Sequence, residues 1–201
     1  KYTVSADSAN DVYWNAVAFT VSGSLGNGTN LLTIGTDATS TTADGIYIIV
    51  AAGDDTQAVS NIKLYNTGTG TQVAGTFTYR ADTNATGYTL YFVSTAEETV
   101  AKGTTKTYEV RGDFNISNAG TSGLGSISTK ISDLSAAVQA GAAAATVEAS
   151  SADSFTTTTT TAESFVWSDG SSVAPVHSLT SLDWTNDWKV AGVPTTTLTL
   201  K

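Results

Sequence analysis

The sequence predicts an all-β protein, an antiparallel sandwich with little or no helix, and three observations carry that reading. Thr is nearly a fifth of the 201 residues while charged residues are only 13%. This composition is poor for helices and good for strands, because Thr is β-branched and its hydroxyl keeps a sheet face wet without adding charge. Apolar residues alternate or run unbroken over short segments, and Gly/Asn turns part these segments at intervals of about 10 to 15 residues. No helical periodicity falls between them, which argues against a parallel α/β sheet.

Taken in order, Tyr2 to Ala6 is a short strand. From Asp11 to Ser22, strict alternation puts Val12, Trp14, Ala16, Ala18 and Thr20 on one face and Tyr13, Asn15, Val17, Phe19 and Val21 on the other. Gly23 to Asn30 is a loop in which Asn27-Gly28 suits positive φ. Leu31 to Ile34 resumes as strand, and the unbroken run Gly45 to Ala52 is expected to lie buried on both faces. Ile62, Leu64, Val73, Phe77 and Tyr79 mark two strands around the turn Asn66 to Gly70, Tyr88 to Val93 is a further buried run, and Thr105 to Asn115 alternates. Glu97-Glu98 reads as an exposed turn. The whole fits a sandwich of Ig-like or jelly-roll type.

Past Gly123 the character changes. Ser132 to Ala149 reads either as a capped Ala-rich helix or as strand, and Gly141 with the lack of a wide apolar stripe favours strand or extended chain. Thr156 to Thr161 has nothing to bury and reads as a solvated strand or linker. The division expected is 1–120, an Ig-like β-sandwich region, and 121–201, a C-terminal β region, unless the two form one continuous domain.

Composition also excludes chemistry. With no Cys there is no disulfide framework, thiolate nucleophile or soft metal site. A net charge of −9 with few Lys and Arg argues against nucleic acid as a partner. No apolar run approaches the roughly 18 residues of a membrane span, and Lys1 in place of an initiator Met suits a processed chain.

The densest stretch is Phe165 to Pro194, which gathers three of the four Trp, both Pro and the single His. Trp167, Trp184 and Trp188 seat best where the ring is buried and the N–H finds an acceptor. Asp169, Asp183 and Asn186, with Ser168 and Asp187, lie beside them to supply acceptors and shape turns. The expected result is a polar-aromatic plug, with His177 hydrogen-bonded inside it, followed by a last strand from Thr195 to Lys201. The motifs SFVWSDGSS, VHS and DWTNDWKVAGVP with the closing Thr/Leu strand resemble the C-terminal module of exported surface proteins of the candidate phyla radiation, the Patescibacteria. Asp187 stands where that family usually has Gly, and Val193 where it has Leu. Upstream, NIKLYNTGTGTQV and EETVAKGTTKTYEVRGDF are similar to the Ig-like repeats that precede the module. The resemblance implies β-sandwich domains, export and a structural role at the cell surface, without enzyme activity.

The candidate sites are few. A Ser-His-Asp triad would need His177 with Ser168 or Ser178 and Asp183, yet no G-x-S-x-G elbow is present. Zinc is poorly served by one His and no Cys. Calcium is the cofactor the oxygen-rich turns allow, at Asp37, Asp44, Asp54 and Asp55, although no EF-hand or nonapeptide spacing is present and solvated turn residues are the preferred reading. Sequons begin at Asn27, Asn84 and Asn115. The function expected is a secreted structural subunit, not an enzyme, that self-assembles into an extracellular filament or surface layer by β-strand addition. The inserted side chains would be Tyr2, Val4 and Ala6, or Leu198 and Leu200. The alternative is an adhesin-like or carbohydrate-binding module presenting Trp rings to glycans.

Overall fold

The computed structural model describes residues 1–25, 33–34, 45–49, 55–81, 88–114, 124–131, 138–142, 165–171, 176–186, 190–193 and 195–200. Their regular structure is strand throughout. In chain order these are β1 (Tyr2–Ser5), β2 (Val12–Leu25), β3 (Thr33–Ile34), β4 (Gly45–Ile49), β5 (Asp55–Asn66), β6 (Thr71–Gln72) and β7 (Gly75–Ala81). They continue as β8 (Tyr88–Val100), β9 (Thr105–Phe114), β10 (Leu124–Lys130), β11 (Val138–Ala142), β12 (Phe165–Ser168), β13 (Trp184–Asn186) and β14 (Leu198–Leu200). One sheet runs β1-β9-β5-β4-β3 with β6 on β5. The other runs β11-β13-β12-β2-β10-β14, with β8 also on β2 and β7 on β8. The pairings are antiparallel, so the protein is an antiparallel all-β sandwich.

The second sheet is built around β2. Strand β8 pairs with it from Val12 to Val21 along one edge. Its other edge is divided, with β12 beside residues 13–17 and β10 beside residues 20–25. This sheet therefore joins strands from 1–120 and from 121–201.

Strict alternation does not hold along β2. Trp14 pairs with Glu98 and Ala16 with Val93, so Asn15 alone stands opposite residues 94–97 of β8, and the register against β12 slips at the same place. A bulge of this kind reverses the phase of the side chains that follow. Trp14 consequently joins Val17, Phe19 and Val21 in the core between the sheets, while Ala16 and Ala18 face the other side. The sequence expectation placed Trp14 with the two alanines; the bulge corrects it. Asn15 is itself buried, and its Oδ1 has no hydrogen-bond partner among the described residues. A second bulge lies in β5, where Asn61 takes φ 52°, a left-handed conformation that Asn tolerates better than most residues, and donates from Nδ2 to Asp113 at 2.6 Å.

Trp14 is the centre of the core. Its ring meets Tyr108 edge-on at 5.0 Å, with Phe165 at 5.9 Å and Phe92 at 6.4 Å. Its N–H donates to the Tyr108 hydroxyl at 3.2 Å, and that hydroxyl donates to Glu98 at 3.2 Å, so a polar chain crosses the aromatic cluster with each member satisfied. Strand β1 docks here: Tyr2 stacks on Tyr108 at 5.4 Å and Val4 and Ala6 are buried. Close approach also dictates Gly75 in β7, where a Cβ would overlap the Phe92 ring and the Val93 carbonyl.

Burial has a consequence at high pH. Desolvation raises the pKa of both Tyr2 and Tyr108 above the ordinary 10.0, and neighbouring Glu98 adds to the rise in each. The unfolded chain gives up these protons near pH 10 while the native state keeps them. The stability they confer is therefore whole below about pH 10 and falls as pH rises toward the folded values. Tyrosinate absorbance from these two residues should appear only together with loss of far-UV circular dichroism. Full ionisation of all eight tyrosines in a still-folded chain would refute this.

Candidate functional site

The chemistry-bearing side chains collect on the outer face of the second sheet, over the small residues Ala16 and Ala18. Those alanines leave room for Trp184, which is fully buried against them, Tyr91 and Val166. The Trp184 N–H donates to the Ser178 carbonyl at 3.1 Å, and this bond folds residues 178–184 back on themselves. In β12 the alternation of a strand sends Phe165 and Trp167 toward the inter-sheet core and Val166 and Ser168 toward the outer face. His177 thereby arrives beside Ser168.

The imidazole of His177 is nearly enclosed, its side chain 6% exposed. Nδ1 lies 2.7 Å from Glu97 Oε2, and Nε2 lies 3.0 Å from Ser168 Oγ and 3.1 Å from Asp183 Oδ1. Tyr13 stacks on the ring at 4.1 Å and Trp184 tilts against it at 5.3 Å. Ser168 Oγ also accepts from the Gly170 N–H at 2.9 Å, within a turn where Gly170 takes φ +66° against the Tyr13 ring. A ring protonated on both nitrogens donates to Glu97 on one side and to Asp183 and Ser168 on the other. A neutral ring donating from Nδ1 instead accepts the Ser168 hydroxyl at Nε2.

Carboxylate, imidazole and serine thus stand in the order of a nucleophilic triad, Glu97-His177-Ser168, with Glu97 in the place that the sequence reading gave to Asp183. The nucleophile position is closed, however. Ser168 is wholly buried and its oxygen is already engaged by a backbone N–H, so no substrate carbonyl reaches it in this conformation. What the arrangement does chemically is tie three elements together: β8 through Glu97, β12 through Ser168, and the loop before β13 through His177 and Asp183. Ser178, the other serine considered, bonds Thr180 rather than His177.

Glu97 and Glu98 are not in an exposed turn but within β8, and they serve opposite faces, one bonded to His177 and the other to Tyr108. Glu97 escaped the sequence reading because it lies 80 residues from its partner. The available signal was an acidic pair on a strand between an outer His and a core Tyr.

The remaining expected site residues are scattered. Asp169 is exposed and caps Ser171, while Trp167 is partly buried against the core. Asn186 ends β13, pairing with Val138 and Val166. Trp188, Asp37, Asp44, Asp54, Asn27, Asn84, Asn115 and the Thr tract lie outside the described residues. Asp55 opens β5. Among the described residues no three His, Asp or Glu side chains converge to hold a metal ion, Glu97 and Asp183 being on opposite nitrogens of His177. No described helix is long and apolar enough to cross a membrane. No protein-family model, curated protein or solved structure matches this chain.

Proposed function

We propose that the protein is a secreted structural subunit that self-assembles by β-strand addition, and that β14 is the strand it shares with its neighbour. The observation that carries this reading is the state of β14 and the chain leading to it. It is an edge strand held by three register pairs to β10, its residues 196–199 are exposed, and Leu198 is 51% exposed. Residues 195–200, TTTLTL, contain no charge and no proline. Sheets normally protect such an edge with Lys, Pro, a bulge or a covering loop, because its free N–H and C=O groups accept another strand.

The other terminal candidate is differently placed. Tyr2, Val4 and Ala6 of the β1 segment already fill the chain's own core, so lending them would open that core. Leu198 and the backbone through Leu200 give up much less. A head-to-tail contact through β14 yields fibres when the rotation between successive copies does not close a ring. The Patescibacteria resemblance and the Thr-rich, Cys-free composition support an exported setting. The glycan-binding alternative is less well served, since Trp184 is fully buried and Trp167 packs against the core.

The test is Leu198→Lys, a change at an exposed position that places charge on the free edge. Wild-type chain is expected to form regular fibres or sheets by negative-stain electron microscopy, and the variant is expected to remain monomeric by mass photometry with unchanged circular dichroism. Assembly of the variant at wild-type concentration would rule out β14 as the shared strand.

A further inference from the structure

The two sheets part along one side of the sandwich. Between β5 and β9 on one wall and β10 with the chain before β14 on the other lies a cleft of ≈ 660 Å³. That volume is in the range of about 300–1,000 Å³ common for small-molecule sites. Phe19, Val21, Ile62, Leu90, Val110 and Ile127 supply apolar surface from both sheets. Lys1, Lys63, Arg111 and Lys130 also line it.

These are four of the nine Lys and Arg in a chain whose net charge is −9. Two of them are already answered. Glu109 pairs with Arg111 at 2.7 Å and with Lys1 at 3.4 Å, and its bond from Arg111 holds its carboxyl below the usual value. Arg111 further lies over the Tyr65 ring at 4.5 Å. Asp113, the acidic residue of the lining, accepts from Asn61. Lys63 and Lys130 have no ion pair among the described residues.

We infer that this cleft binds an amphipathic anion, a molecule with a single acidic head and an apolar body. The walls favour an apolar body, by about 25 cal/mol for each Å² withdrawn from water. The unanswered Lys63 and Lys130 select a negative head over a neutral or positive one. A small hydrophilic anion would leave the walls unused, and a cation would meet a lining in which Lys63 and Lys130 outnumber the carboxylate of Asp113. Thr195, Thr196 and Leu198 also line the cleft, so binding here and assembly through β14 share part of one wall, and binding is tested on the monomer.

The test is isothermal titration of the wild-type chain, kept dilute enough to be monomeric by mass photometry, with decanoate, decanol and decyltrimethylammonium near neutral pH. Decanoate is expected to bind saturably at one site, at least about tenfold more tightly than the other two probes. Lys63→Glu combined with Lys130→Glu should weaken decanoate by about tenfold or more and leave decanol unchanged. Thr129→Trp, which adds a ring at a lining position of β10, should abolish decanoate binding. Should the double variant fail to fold, the Trp variant decides alone, and retained affinity overturns the inference. Equal binding of all three probes, no decanoate binding, or a folded double variant with wild-type affinity would each overturn it as well. So would a wild-type dimer that decanoate cannot dissociate and the charge-reversed variant cannot form, since a second acidic copy would then be the occupant.

Discussion

Trp14→Ala should cost about 3–5 kcal/mol, the range for deleting a large aromatic side chain from a packed core. The residue is fully buried and touches rings from β1, β8, β9 and β12, so the cavity would open where both sheets and both halves of the sequence meet. Relaxation is limited, because three of these rings are also seated against others: Tyr2 and Tyr108 stack at 5.4 Å, and Phe92 packs on Phe77 at 4.9 Å. A single domain has about 5–15 kcal/mol in total, so the variant would stand near the edge of folding. Trp14→Phe retains most of the ring and loses the donor to Tyr108, and should cost about 1–3 kcal/mol. Urea titration followed by Tyr and Trp fluorescence measures both. Equal, small losses in the two variants would mean that the aromatic cluster is not the centre of the fold.

His177→Ala is expected to destabilise the chain by about 2–4 kcal/mol, because it leaves a cavity beside Tyr13 and Trp184 and removes one hydrogen-bond partner each from Glu97, Ser168 and Asp183 in a largely buried cluster. Asp183 is the more enclosed of the two carboxylates, its side chain being 4% exposed, whereas Glu97 at 21% keeps more contact with water. Glu97→Gln should therefore cost distinctly less than His177→Ala. The loss should be local at first: near-ultraviolet circular dichroism from Trp184 should fall before the far-ultraviolet signal of the sheets, since residues 177–184 are the segment that the network holds down. A His177→Ala protein as stable as wild type would remove the structural role argued for this cluster, and would reopen the question of why Glu97, His177 and Ser168 are aligned.

Much of this fold is legible in the chain without its structure. The β class follows from Thr content and alternation, and the turn at Asn66 to Gly70 follows from its Asn and Gly, with Asn66 Oδ1 accepting from Gly68. The concentration of Trp, His and Asp after Phe165 marks where polar and aromatic groups would be used together, and His177, Asp183, Trp184 and Ser168 do stand in one cluster. Each of these signals is local, since propensity, turn chemistry and residue cost are read within a few positions of each other.

What only the tertiary structure decided is pairing across distance. The bulge at Asn15 turns Trp14 into the inter-sheet core, although every residue around it suits unbroken alternation, because the excursion of β8 at residues 94–97 exists only once β8 lies beside β2. Glu97 meets His177 for the same reason. The division of β2's free edge between β10 and β12, the open side of the sandwich where basic residues gather, and the exposure of β14 depend likewise on which strand finds which edge. Side-chain alternation is a property of one strand, whereas register, edge and cleft are properties of pairs, and the hydrogen bonds that set them join residues tens of positions apart.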